Sequence, residues 1–233
     1  MTKGISIIIP VLNEAAQLPQ LVSQLNQFSS IPHEALFVDG GSSDDSVSVL
    51  KHLQQQVLHS TMGRAHQMNT GAAKARFPWL YFLHADSHLP ANASQLLWEA
   101  TTNQQQAACF QLAFSASHWL LRLSAKATKA NHLLCRGGDQ SLLIHKDFFK
   151  QLGGFDPQYK VCEDIALIRK IYQKGRFEVL NATLVTSARR FTENGVLQLL
   201  FHFGVLHLLH YWGIAPQQLH RYYCKFVKQL PPR

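Results

Sequence analysis

Acidic residues stand at the points where this sequence changes abruptly from apolar to polar, and their neighbours suit them to phosphate and proton chemistry. The run Trp79-Leu80-Tyr81-Phe82-Leu83 ends in His84-Ala85-Asp86-Ser87-His88. The run from Glu34 to Val38 ends in Asp39, followed by Gly40-Gly41-Ser42-Ser43-Asp44-Asp45. Glu163 and Asp164 are adjacent and follow a glycine-bearing stretch, Gly153-Gly154-Phe155-Asp156. A Mg²⁺ or Mn²⁺ ion bridging two phosphates needs only one or two protein carboxylates, because phosphate oxygens and waters complete its octahedron. Asp86 with His84 or His88 meets that need, and the ion offsets the charge that gathers on a departing nucleoside diphosphate. The Glu163-Asp164 pair offers one acid as general base toward an attacking hydroxyl and the other to orient or tune it. Simpler readings stand beside these. Asp86 or Ser87 caps the helix that Asn92 begins, and Glu163-Asp164 favour the positive end of the helix they open.

These acids cooperate only if the chain folds them onto one rim. Ile5 to Leu12 is β-branched and apolar and reads as a strand, after which Asn13-Glu14 opens a helical pattern through Leu18, Leu21, Val22 and Leu25. Strand, turn and helix then repeat: Glu34 to Val38 is a strand, Gly40 to Asp45 a turn with N-cap candidates, and Val47, Val49 and Leu50 mark a helix. Val57 to His59 is a third short strand, and Gly63 to Ala75 is a small-residue helix carrying Arg64 and Asn69. It leads to the apolar run before Asp86, which has the composition of a strand buried on both faces. The alternation predicts right-handed βαβ units and a mostly parallel sheet, an α/β fold with ligands outside the carboxyl ends of the strands. Asp39 and Asp86 then share a rim.

The second half is less regular. Ala107 to Phe114 reads as a strand and Trp119 to Leu134 as a helix with Arg122, Lys126 and Lys129 along one face, either a solvated stripe or a contact for an anionic ligand or membrane. Arg136-Gly137-Gly138-Asp139-Gln140 precedes a strand from Ser141 to His145, and Ile165, Leu167, Ile168 and Ile171 give the helix from Glu163 its apolar face. From Val196 to Ala215 there are 20 residues without Asp, Glu, Lys or Arg. Gln198, His202, His207 and His210 interrupt that run, which argues for an amphipathic helix on the domain or at a bilayer interface rather than a span. Arg189 and Arg190 before it and Arg221, Lys225 and Lys228 after it favour an anionic membrane surface.

At 233 residues the chain is sized for one well-buried domain with appendages. Its formal charge of +8 favours anionic partners, and its four cysteines form no CxxC pair, so neither a zinc ribbon nor a disulfide framework is indicated. The start, Met1-Thr2-Lys3-Gly4, lacks the apolar stretch of a secretory signal, which predicts a cytoplasmic protein, peripheral on the inner face of the membrane if it meets one.

Pro10-Val11-Leu12-Asn13-Glu14, Val38-Asp39-Gly40-Gly41-Ser42-Ser43-Asp44, a strand ending His84-Ala85-Asp86, Gly153-Gly154-Phe155 and Glu163-Asp164 resemble, in order, the motifs of family 2 glycosyltransferases. Phe82-Leu83-His84-Ala85-Asp86, Arg136-Gly137-Gly138-Asp139-Gln140 and Thr186-Ser187-Ala188-Arg189-Arg190 are similar to a short bacterial subgroup labelled selenodomain-associated transferase 2. The resemblance runs from Ile5 to about Tyr223. It implies a GT-A fold over residues 1–190 with a helical extension over 191–233. It also implies inverting transfer of a sugar from a nucleoside-diphosphate donor, a UDP-sugar by preference, to a hydroxyl acceptor, a lipid-linked one included. On this likeness the donor site comprises Pro10, Asn13, Glu14, Asp39, Ser42, Asp44, Arg64, Asn69 and Asp139, with Asp39 on a uracil-like edge. Gly138-Asp139-Gln140 would lie near the acceptor or donor sugar. Asp86 and His84 would hold Mn²⁺ or Mg²⁺, His84 standing where the family has an acid, and histidine suits Mn²⁺ better than Mg²⁺. Asp164 would be the base, with Glu163 beside it.

Three other readings compete. A nicotinamide-binding fold wants GxGxxG after the first strand, where Pro10-Val11-Leu12-Asn13 stands. A nucleotidyltransferase making a sugar nucleotide on a similar fold wants a glycine-rich basic loop there, and Asn13-Glu14 is acidic. A non-enzymatic basic module at a membrane explains the charge but not the ordered acids, and the same acids leave nucleic acid unfavoured as a partner.

Overall fold

The computed structural model describes residues 3–137 and 139–228. Seven strands form one sheet in the order β3-β2-β1-β4-β6-β5-β7. They are β1 (Ile5–Val11), β2 (His33–Asp39), β3 (Val57–His59), β4 (Trp79–Phe82), β5 (Ala107–Phe114), β6 (Leu142–His145) and β7 (Phe177–Thr186). β1 pairs in parallel with β2 and β4, and β2 with β3, as the alternation of strands and helices predicts. Only β6 is reversed, antiparallel to both β4 and β5, while β5 and β7 are parallel. The sheet is mixed and mostly parallel, as the resemblance leads one to expect.

Side chains alternate across β1 and divide the core into two layers. Ile5, Ile7 and Ile9 pack with Leu18, Leu21 and Leu25 of α1 (Leu18–Leu25), Leu50 of α2 (Ser46–His52) and Leu97 of α4 (Ala93–Ala100). Ile8 faces the other way, against Ala65, Met68 and Ala72 of α3 (Arg64–Lys74), Phe148 and Phe149 of α6 (Lys146–Gln151), and Leu167 and Ile171 of α7 (Glu163–Lys174). The small residues of α3 have a packing reason: a Cβ on Gly71 would come within 2.4 Å of Ile8 Cγ2. α3 therefore lies close on β1 and β2 and carries Arg64 to the rim. Pro10 sits in β1 opposite Val38 of β2 and beyond the last paired position of β4, Phe82 opposite Ile8.

Several local expectations need correction. The first helix starts at Leu18 rather than Asn13, which takes a left-handed conformation (φ 57°) to turn the chain. The helix expected over Trp119–Leu134 ends as α5 at Ala127. The Thr128 hydroxyl bonds back to the Ala125 carbonyl and accepts from Leu112 N–H on β5, which draws the chain off the helical path. Arg122, Lys126 and Lys129 are all exposed, but Lys129 lies beyond the helix. β7 escaped the sequence reading because pairing jumps from Phe110↔Leu180 to Gln111↔Thr183, and this irregularity breaks the alternation that marks a strand.

α8 (Arg189–Asn194), α9 (Val196–Tyr211) and α10 (Pro216–Phe226) follow, so the boundary expected at residue 190 falls inside α8. Phe191, Leu199 and Val227 pack with Leu121 of α5 and Phe114 of β5, joining these helices to the sheet end. α9 is not amphipathic as expected: His210 is buried, while Leu197, Phe201, Leu208 and Tyr211 are exposed. Among the described residues no helix is long and apolar enough to cross a membrane.

Candidate active site

The loops after β1 and β2 hold each other. Asn13, in its left-handed turn, accepts Ser43 N–H at 2.7 Å and Asp44 N–H at 3.3 Å on its side-chain oxygen, while its own N–H reaches Ser42 Oγ at 3.0 Å. Glu14 N–H donates to Ser46 Oγ, and Ala15 N–H donates to Asp44 Oδ2. Asp39 takes Gly41 N–H and Ser42 N–H, one on each carboxylate oxygen at 3.0 Å, with His59 Nδ1 at 3.5 Å. Burial opposes ionisation of Asp39, but these bonds from Ser42, Gly41 and His59 outweigh it and hold its pKa below the usual carboxylate range. Beneath them lies Gln67, buried on α3, whose amide donates at 2.8 Å to the carbonyls of both Val11 and Val38. It ties the ends of β1 and β2 together. The sequence reading missed it, and its signal was a large amide among the small residues of α3.

A second group gathers where β4 and α7 end and begin. Asp86 lies six residues before Asn92, the residue preceding α4, and so caps nothing there. Burial raises its pKa, and Asp139 raises it further, against the opposing pull of Arg64 and Arg190. Glu14 joins this group from the first loop, pushed up to about 7 by burial and then by Asp86. Cys162, at φ 65°, turns the chain into α7 and delivers Glu163 and Asp164. Both carboxyls are held above the usual range by burial. Glu163 is almost fully buried with Arg64 Nη1 3.8 Å from its Oε1, whereas Asp164 is half-buried, accepts Ile165 N–H and feels both Arg64 and His207 of α9. Arg64 is the hub, within the fields of Glu163, Asp139, Asp164 and Asp86. Arg64, Asp139, Glu163, Asp164, Arg190 and His207 line one cavity of about 820 Å³.

The expected residues thus divide. Asn13, Asp39, Ser42 and Asp44 form the loop clamp with Pro10 on the strand below, while Glu14, Asp86, Asp139, Glu163, Asp164 and Arg64 form the acid group. Arg64, expected beside the nucleotide, stands among the acids. Asn69 spends both amide atoms on Phe155, donating to its carbonyl and accepting its N–H, so it pins the Gly153-Gly154-Phe155 loop. His88 is turned toward Gln24 and β7 and away from the metal role considered for it. His84 is half-buried two residues before Asp86, and Gly138 lies outside the described residues. Arg190 and His207 were not foreseen as site residues, since Arg190 is placed by the unrecognised β7 and His207 is hidden in an apolar run.

Residues 6–158 match the profile of Glycosyl transferase family 2. The chain belongs to that family. An uncharacterized glycosyltransferase of Haemophilus influenzae is 24% identical over 186 residues, which cover 74% of this chain and 63% of that protein. The match therefore spans somewhat less than two thirds of this relative's length. Among solved structures, Staphylococcus aureus TarS residues 1–349 superpose with a TM-score of 0.65 at 15% identity, covering 97% of this chain and 70% of that one. Glucosyl-3-phosphoglycerate synthase of Mycobacterium tuberculosis, in complex with Mn²⁺, UDP-glucose and phosphoglyceric acid, gives 0.65 at 16% identity, with 91% and 80% covered. At such identity these likenesses establish the shared fold.

The family implies a divalent ion, and the residues fit one held jointly with phosphate. Among the described residues no three His, Cys, Asp or Glu side chains converge as a closed protein site requires. Fewer suffice when a diphosphate supplies the remaining oxygens. Burial and then Asp139 raise the pKa of Asp86, against Arg64 and Arg190, and Asp86 in turn helps raise Glu14, so a cation between these acids would ease their repulsion.

Proposed function

We propose that this chain moves a glycosyl group from a nucleoside-diphosphate sugar, a UDP-sugar by preference, to an acceptor hydroxyl with inversion at the anomeric carbon. The observation that carries the reading is the gathering of Asp86, Asp139, Glu163 and Asp164 around Arg64, beside a preformed pair of loops. Family membership and the nucleotide sugar bound by the mycobacterial neighbour support it.

Pro10 to Glu14 and Asp39 form the base and ribose side. Asp39, kept ionised by bonds from Ser42, Gly41 and His59, would turn its remaining acceptor capacity toward the N–H edge of a uracil-like base. Asp86, with His84, would hold Mn²⁺ or Mg²⁺, which when bound neutralises the departing diphosphate. Arg64 and Arg190 add fixed positive charge on the same side. Asp164 takes the acceptor's hydroxyl proton as the oxygen attacks the anomeric carbon from the face opposite the diphosphate, and the bond to the diphosphate breaks. Asp164 is chosen over Glu163 because it is the less buried and lies outside the closer pairing with Arg64. Its raised pKa makes it a stronger base near neutrality. Asp139 would lie near the acceptor or the donor sugar.

Thermal melting with a panel of nucleotide sugars and Mn²⁺ tests the reading, because a ligand of the folded state stabilises it by RT ln(1 + [L]/Kd). A UDP-sugar is expected to raise the melting temperature most. No response to any nucleotide sugar sinks the assignment.

A membrane-surface role for the C-terminal helices is supported by exposed Phe201, Tyr211 and Trp212 together with exposed Arg221, Lys225 and Lys228. Sedimentation with anionic vesicles at low salt, reversed at high salt, is the expected result. Failure to sediment at low salt removes the role.

A further inference from the structure

The cavity that holds the acid pair does not stop there. Its charged walls lie close together: Arg64 pairs with Glu163, Asp139 and Asp164 act on Arg64, and Arg190 acts on Glu163. Beyond them the lining changes to Leu112, Phe114, Leu134, Phe203, Leu206 and Leu208, contributed by β5, the turn at Leu133–Cys135 and α9. The outer rim is open, with Leu134 63% and Phe201 65% exposed. A neighbouring groove of about 910 Å³ shares Phe191 and Phe201 with this cavity and runs on past Val196 and Leu197. One reactive end therefore continues into an apolar arm that reaches the surface.

Resting on the glycosyl-transfer reading, we propose that the acceptor is an amphiphile, a hydroxyl-bearing head on an apolar chain, and that its chain occupies this arm. An acceptor that presents a hydroxyl to Asp164 from this side would lay its remainder along the arm. Polar groups along the arm are few: the Thr128 hydroxyl is committed to Leu112 and Ala125 and the Gln140 side chain to Gly137 and Phe110, which leaves Ser124, Lys160, Tyr223 and the Arg136 Nε among leucines and phenylalanines. Burying an unpaired hydroxyl against such a wall is costly, whereas methylenes gain from it. Gly204 fits the same account. It lies inside α9, where glycine weakens a helix relative to alanine, it lines the cavity, and a Cβ there meets nothing within 4 Å. Gly204 is exposed at the cavity's mouth, where a side chain would project into open space and narrow the entry.

The test is a series of n-alkyl β-D-glucosides from methyl to decyl, each below its micelle-forming concentration, titrated calorimetrically into the full chain loaded with UDP and Mn²⁺. Affinity is expected to rise by roughly fourfold per methylene until the arm is full. Gly204→Leu, which plugs the arm without burdening the helix, should keep UDP binding and melting temperature while weakening decyl glucoside at least tenfold and leaving methyl glucoside unchanged. Phe201→Gln, at an exposed position on the rim, should lower the slope with chain length. UDP binding with a flat chain-length series, or decyl glucoside binding unchanged in Gly204→Leu, overturns the apolar-arm proposal and leaves glycosyl transfer standing. Wild-type protein that binds neither UDP nor any other nucleoside diphosphate overturns both.

Discussion

Asp39, which ends β2, and Asp44, on the loop after it, each accept two backbone N–H bonds, and both carboxyls are held below their usual pKa range. Across the same rim Asp86, Glu14, Glu163 and Asp164 are held above it, by burial first and by other acids near Asp86, Glu14 and Glu163. Both regions are clusters of acids at strand and helix ends, yet one is satisfied by its own chain and the other stores repulsion. The first is a preformed surface whose order does not depend on a ligand. The second is relieved only by positive charge or by protons, which is what a cation-bearing donor and a base awaiting a proton supply.

The largest effect expected from breaking this contrast is at Asp164. Asp164→Asn keeps size and polarity but accepts no proton, so kcat should fall by about 10²- to 10⁴-fold with donor binding nearly intact. Near-normal turnover in Asp164→Asn with a dead Glu163→Gln would exchange the roles within the pair. Retained anomeric configuration in the product would rule out a direct displacement altogether. Next comes Asp86→Asn, which removes a repelled carboxylate and the proposed metal contact together. UDP should bind wild type more tightly with Mn²⁺ than with EDTA, and the variant should lose that advantage, by about 10- to 100-fold on the scale of disturbed metal sites. Equal affinity with and without metal in wild type would take Asp86 out of the role.

The same contrast explains what was legible in the sequence. Asp39 and Asp86 were found because apolar runs of a buried parallel strand stop abruptly, and a parallel sheet puts such stops on one rim. The parallel pairing of β1 with β2 and β4 followed the same alternation, while the strand order itself was not legible in it. The clamp was not legible, because Asn13 to Ser43 is a bond across 30 positions that needs a left-handed turn no local pattern announces. Arg190 and His207 were hidden for a different reason. They reach the acids through β7 and α9, one masked by an irregular register and the other by an apolar composition that invites a membrane reading. Local periodicity shows which faces are buried, and not which distant helix closes the site.

On the satisfied side, Asn13→Ala should act on stability rather than on metal dependence. It leaves the N–H groups of Ser43 and Asp44 without their acceptor and places alanine at a positive φ, for a loss of about 1–3 kcal/mol in denaturant unfolding. Mn²⁺ should enhance UDP binding by the same factor in the variant as in wild type. A variant that unfolds normally but loses its metal response would show that the two regions are not separate.

The smallest effect is a pH dependence centred on Glu14, whose carboxyl is pushed from 4.5 to about 7 by burial and by Asp86. Between those values the folded protein keeps a proton that the unfolded chain releases, so stability should fall as pH rises through this window and level off above it. Glu163 and Asp164 are raised as well and slope the same way, so Glu14→Gln should make the decline shallower without abolishing it. At pH 8 the variant should melt a few degrees above wild type, and at pH 4.5 the two should coincide. UDP with Mn²⁺ should raise the melting temperature of wild type more at pH 8 than at pH 5, because the cation relieves the repulsion that deprotonation creates. If Glu14→Gln melts no higher than wild type at pH 8, Glu14 does not belong to the strained group, and the division of the rim must be redrawn with Glu14 on the side of Asn13.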